Sequence, residues 1–368
     1  MSSTDFIFLY LWMFGIYYAW GTKREVSRST NIQFAIITTI SFILIEGFRY
    51  DRGVDHLWYG EIYFNPRLNE SPSFVLFNEF LQYCGLNYTG ACIIYALIFI
   101  IGAYYLIKNV NGKEHRFAHL FCVCACLLSF ECLIRQYIAI PLIYISISFF
   151  LRKNWLLCVT FLFLGFQIHI VSILLFVAFV AVFLLRGYLI NYKISLSILF
   201  LVYFISSFDY TSYVLSLIDL LAPGIVPQGF EHYVLNSDRW FGEDSVLEGS
   251  EQSILAKFMQ LGFEGSMIYL GYVILKDKPN NTINVFYMLM IVGAILTRAF
   301  WGMELIIRIT KMLYQLWFIP LAYIFYNKTY LIKKAREYNI YFFIIVLYLV
   351  SYWLRHIFLS DNCKFIWS

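Results

Sequence analysis

The sequence predicts an all-α, polytopic integral membrane protein of about twelve transmembrane helices, built as one transmembrane domain over residues 1–368. Three observations carry this. Hydrophobic residues make up 61% of the 368 and charged residues only 14%, where a soluble domain carries about 25% charged residues. Mean hydropathy is +0.70. Apolar runs long enough to cross a hydrocarbon core recur from end to end and leave no stretch for an independent aqueous domain.

In chain order the runs fall at 4–20, 32–48, 90–107, 117–133, 136–151, 155–168, 170–186, 192–208, 252–275, 283–300, 309–326 and 339–357. Polar breaks within several of them allow any count from ten to thirteen. The first is followed by many others, so it reads as a retained helix and not as a cleaved signal peptide. Every second connector is basic. The first run leads to Lys23, Arg24 and Arg28, the third to Lys108, Lys113 and Arg116, and the fifth to Arg152 and Lys153. Arg186 and Lys193 follow the seventh, Lys276 and Lys278 the ninth, and Lys328, Lys333, Lys334 and Arg336 the eleventh. These short loops hold more than half of the 27 lysines and arginines. By the positive-inside bias they face the cytoplasm, with both termini opposite.

The other face differs in kind. It carries two long connectors, about 49–89 and 209–251, with apolar residues at three- and four-residue steps in 71–83 and 211–223. Those two stretches predict helices lying at the interface. The 30 tyrosines and nine tryptophans, many near the ends of runs, fit interfacial belts. The net charge of +4 is scattered in short clusters, which excludes a nucleic-acid surface. Most of the eight cysteines lie in apolar segments, where a thiol behaves as a small hydrophobe. Cys122, Cys124 and Cys126 do not make a metal site, because steps of two on a helix point in widely different directions.

Polar side chains gather at one depth on the outer face. Arg49, Asp51, Arg52 and Asp55 end the second run, within FRYDRGVDHLWY. Glu131, Arg135 and Gln136 lie between the fourth and fifth runs, and Gln167 and His169 between the sixth and seventh. Arg298 ends the tenth and Arg308 begins the eleventh. Each has a plain alternative: Arg49 and Arg52 snorkelling to the interface, Asp55 pairing locally with Arg52, His169 closing a helix end. Arg135 is harder to dismiss, because its neighbours Leu133, Ile134, Tyr137 and Ile138 are largely apolar, and a guanidinium there is costly unless paired or hydrated. An arginine excess on the non-cytoplasmic side points to an anion, since the planar fork donates two parallel hydrogen bonds to a phosphate. Phospholipid head groups and polyisoprenyl diphosphates are the anionic candidates at a membrane surface.

At these residues the chain resembles a known family, the EpsG-type, Wzy-like polymerases of O-antigen, capsule and exopolysaccharide. FRYDRGVDHLWY is similar to its first signature at Arg49, Gly53, Asp55 and Tyr59. LIRQYIAIPLIY is similar to the second at Arg135 and Gln136. FQIHIVSIL matches a third at His169 and Ser172, and MELIIRITKMLYQLWFIP a late arginine-bearing helix at Arg308. The signatures run in the family's order over nearly the whole chain. Glu131 departs from the pattern, standing where a small polar residue is expected, and the tyrosine-rich loops match nothing in it.

The resemblance implies a catalytic domain that joins undecaprenyl-diphosphate-linked oligosaccharide repeat units on the outer face of the bacterial inner membrane. Donor and acceptor are both lipid-linked, membrane lipids surround the site, and there is room for a chain-length regulator. No cofactor or metal is expected: Arg135 and Arg308, with Arg49 or Arg52 as a third, would hold the leaving diphosphate. His169 or Asp55 would take the proton from the attacking sugar hydroxyl, His169 having the more suitable ordinary pKa. Gln136 and Tyr59 are further expected substrate contacts. In the long outer loop EHYVLNSDRWFGEDSVLEGSEQ, Asp238, Trp240, Glu243 and Asp244 offer an aromatic face and carboxylates to a sugar, against the alternative of a solvated acidic loop. Rival readings are a transferase adding one polyprenyl-linked sugar, a glycan acyltransferase, and a flippase for lipid-linked oligosaccharides. A flippase should line a passage through the full membrane depth with charge, whereas these runs are mainly apolar inside.

Overall fold

The computed structural model describes residues 28–50, 55–65, 71–111, 115–205, 253–301 and 304–359. The regular structure among these residues is helical. We number the helices α1 (Arg28–Phe42, continued by a π-helical turn Ile43–Gly47), α2 (His56–Phe64), α3 (Pro72–Tyr83), α4 (Tyr88–Val110), α5 (His115–Cys132), α6 (Ile134–Leu151) and α7 (Trp155–Ile168). After a 3-10 turn at Ile170–Ser172 come α8 (Ile173–Leu184), α9 (Tyr192–Ile205), α10 (Ile254–Asp277), α11 (Asn281–Ala299) and α12 (Glu304–Tyr314). A second 3-10 turn, Gln315–Trp317, leads into α13 (Phe318–Tyr326), α14 (Lys328–Lys334) and α15 (Tyr338–Leu359).

Each predicted apolar run within the described residues coincides with helix to within a few residues. The run at 4–20, the interfacial segment at 211–223 and the connector 209–251 lie outside the described residues. Among the described residues four helices, α4, α6, α10 and α11, are long and apolar enough by themselves to cross a membrane. The chain is a multi-pass helical membrane protein. Several starts are local: the side chains of Asn87, Asn154, Ser253 and Asn280 accept backbone N–H groups at the first turns of α4, α7, α10 and α11.

Two expectations need correction. The eleventh run is not one helix, because the 3-10 turn at Gln315–Trp317 divides it into α12 and α13. The first outer connector holds a helix beyond the predicted 71–83, which α3 covers: α2 occupies His56–Phe64, where His56, Tyr59, Ile62 and Tyr63 are buried.

Side-chain packing joins α6 to α7 and α4, α11 to α12, α13 to α5, and α10 to α15. Two of these contacts need glycine. A Cβ on Gly102 of α4 would lie 2.4 Å from Cβ of Pro141 in α6. One on Gly293 of α11 would lie 2.3 Å from the backbone nitrogen of Tyr314 in α12. Absence of a side chain lets each pair approach backbone to backbone. Each pair includes a helix that carries a candidate arginine.

Candidate active site

His169 owes its position to a break in the helix ladder. It ends α7 in an extended conformation, φ −151° and ψ 103°, and the 3-10 turn begins at the next residue. Ser172 fixes this corner by donating its hydroxyl to the carbonyls of His169 at 2.6 Å and Gly165 at 3.3 Å. Gly165 in turn lies against Ala139 and Ile143 of α6. The hydroxyl of Ser71, at the head of α3, donates to the carbonyl of Gln167 and ties the outer connector to the same corner.

Arg135 stands in the first turn of α6 and Arg308 in the middle of α12, both half-buried. The two guanidinium groups converge electrostatically on His169. Burial first, then the charge of Arg135, then that of Arg308, lowers the imidazole pKa from its ordinary value to about 3. His169 is therefore neutral at pH 7.

The residues following Arg135 hold this arrangement together. Gln136 donates its amide to the backbone carbonyl of Arg308 at 3.1 Å. Tyr137 donates its hydroxyl to the side-chain oxygen of Gln315, in the 3-10 turn after α12. Three consecutive side chains at the head of α6 thus present a cation and clamp the helix bearing the second cation. Gln136, an expected substrate contact, gives its amide N–H to this clamp.

The charge of Arg49 is answered elsewhere. Its side chain is fully buried and pairs with Glu46 at 3.3 Å, from the π-helical turn. It also bears on Tyr88, Cys92 and Tyr95 of α4. Asp55 is half-buried at the head of α2, where its carbonyl accepts the amide of Tyr59 at 2.9 Å. The ring of Tyr59 is buried edge-on to Phe74, centroids 6.0 Å apart, so it packs α2 on α3. Arg52, Asp238, Trp240, Glu243 and Asp244 lie outside the described residues.

Arg298 was singled out in the sequence, but the polar residues around it, Glu264 first, were not. Glu264, on α10, is buried and accepts from Gln260 at 2.9 Å and from the hydroxyl of Tyr203 on α9 at 3.0 Å. The charge of Arg298 acts on the same carboxylate. The Arg298 guanidinium lies over the rings of Tyr203 and Trp301, 4.7 and 4.6 Å from their centroids. The signal was present in principle, since a carboxylate inside an apolar run such as LGFEGSM calls for an explanation. Glu46, within ILIEG, is a second case.

The family model for the EpsG family matches residues 32–366. The chain belongs to the EpsG family. No curated protein and no solved structure matches it. The match takes in α1 to α15 almost entirely, and so includes all three arginine groups of this EpsG-family chain. Family and fold together are those of a polysaccharide-related membrane enzyme.

Proposed function

We propose that this EpsG-family protein is a bacterial polysaccharide polymerase that joins undecaprenyl-diphosphate-linked repeat units on the outer face of the cytoplasmic membrane. The observation that carries the reading is the docking of the head of α6 on α12, Gln136 donating to the carbonyl of Arg308, which brings the charges of Arg135 and Arg308 to bear on His169. Glycosyl transfer from a lipid diphosphate needs such a set: fixed cations for the leaving group and a proton acceptor for the nucleophile.

In this reading a hydroxyl oxygen of the acceptor repeat unit bonds to the anomeric carbon of the donor. The bond from that carbon to the diphosphate oxygen breaks, and undecaprenyl diphosphate departs with the electron pair. Arg135 and Arg308 hold the developing charge, with Arg52 as a further cation. His169 receives the hydroxyl proton, and Asp55 orients the acceptor. Binding of the anionic donor offsets the two guanidinium charges and so raises the basicity of His169 where it is needed. Arg49, closed against Glu46, braces the outer half of α4. Asp238, Trp240, Glu243 and Asp244 supply sugar contacts. In this reading the chain makes twelve spans, counted with 4–20, and by the positive-inside bias the basic connectors lie inside and this site outside.

Complementation of a strain lacking the gene tests the proposal. Wild-type protein should restore a long polysaccharide ladder. Arg135→Ala and Arg308→Ala, at matched membrane levels, should leave a band of single lipid- or core-linked repeat units. Long chains surviving both changes would sink the site. Repeat units trapped inside the cell would favour transport over polymerisation.

A further inference from the structure

We infer that Glu264 and Arg298 form a positioning pair for Arg308, acting through α12 from the side away from the anion site. The inference rests on Arg135 and Arg308 being that site. Burying a carboxylate in a membrane-embedded bundle is costly, so the group should repay its place by an interaction that no apolar residue could make. The groups that answer Glu264 are all supplied by the protein: Gln260 one turn before it and Tyr203 of α9 donate to it, and Tyr314 of α12 and the charge of Arg298 on α11 bear on it. Satisfied internally in this way, it has the surroundings of a fixed support more than those of a ligand site.

The route from Glu264 to Arg308 can be followed through contacts. Arg298 occupies the last turn of α11, its guanidinium held over two rings and drawn by the Glu264 charge. Its neighbour Thr297 donates its hydroxyl to that of Thr310 on α12 at 3.0 Å, with both residues buried. One helical turn earlier on α11, Gly293 receives the backbone of Tyr314. The end of α11 and the length of α12 are thereby one unit. At about 100° per residue, Thr310 lies about 160° round α12 from Arg308. The face gripped by α11 is opposite the face that presents the arginine. Gln136 holds the helix from the α6 side. Loss of the Glu264 charge would release Arg298, slacken the end of α11 and let α12 turn. Arg308 would then leave the line it shares with Arg135 and His169.

The test uses full-length protein in nanodiscs and farnesyl diphosphate as the anionic probe, with Kd measured for wild type, Glu264→Gln, Arg308→Lys and the double variant. Glu264→Gln keeps the size of the side chain and removes its charge. We expect each single change to weaken binding about 10-fold, and the double variant to be no more than about 2-fold weaker than the worse single, because both act on one arginine. Thr297→Val, which removes one hydroxyl from the route, should weaken binding in the same direction. It keeps the question decidable if Glu264→Gln assembles poorly. Full affinity in Glu264→Gln or in Thr297→Val overturns the positioning role. So does multiplication of the two losses to about 100-fold in the double variant, which marks an independent or general effect. Failure of the wild type to bind the probe, or full binding by Arg308→Lys, removes the anion site itself.

Discussion

At the residue scale, the protonation of His169 is the property with the most direct consequences. With its pKa lowered to about 3 in the folded protein, against about 6.5 in an unfolded chain, the imidazole resists protonation only while folded. Above pH 6.5 both states are neutral and this group adds no pH dependence. Between pH 6.5 and 3 the unfolded chain gains the proton first, so stability falls as pH falls through that window. Activity should therefore show no acid limb near pH 6.5 from His169 in kcat/KM, which reports the free enzyme. Adding farnesyl diphosphate should move the imidazole titration upward, as followed by NMR of histidine-labelled protein. An unperturbed titration near 6.5 without ligand would separate His169 from the two arginines. Glu46 and Arg49 offer a second check. Both side chains are fully buried, so Glu46→Ala takes the carboxylate away from a buried cation and should cost about 3 kcal/mol in thermal unfolding. Replacing both by apolar residues of similar volume should cost less.

At the scale of elements, the helices were largely legible in the sequence and their interruptions were not. Trp155–Ile168 coincides with its predicted run because asparagine at 154 caps it and the polar corner at His169 ends it. The division between α12 and α13 has a fainter mark that the reading passed over: Pro320 has no N–H for the carbonyl of Leu316 and falls in the first turn of α13. The 3-10 turn before it places Gln315 under Tyr137. Helix α2 was hidden for another reason: its burial comes from Phe74 and Tyr88, which arrive later in the chain. Close packing of α11 on α12 gives the prediction for this scale. Gly293→Ala puts a methyl group where the backbone of Tyr314 lies, and should destabilise the protein by about 2 kcal/mol or more, read as a lower melting temperature in detergent.

Across the whole molecule, charge gives depth but not direction around the bundle. The sequence places Arg49, Arg135, Arg298 and Arg308 at one level, and the reading treats them as one cluster. Folding sorts them into three groups, with Glu46, with His169, and with Glu264. The missing information was azimuthal. It depends on which helices are neighbours, and a lysine or arginine count cannot supply that. Level itself is testable: cysteines introduced near Lys113 and Lys153 should react with a membrane-impermeant maleimide only after the membrane is opened, whereas one beside Phe64 should react in intact spheroplasts. The opposite pattern would invert the topology and move the candidate site to the cytoplasmic side.

The contact between Gln136 and α12 ends on the main-chain oxygen of residue 308, not on its guanidinium. Main-chain atoms are the same for all twenty amino acids. A library of every substitution at position 308 except proline can therefore keep this anchor while varying charge, length and shape at its tip. Such a series separates what the side chain offers to an anion from what the helix contributes by being there, a separation seldom possible when the docking atom and the functional atom belong to the same group.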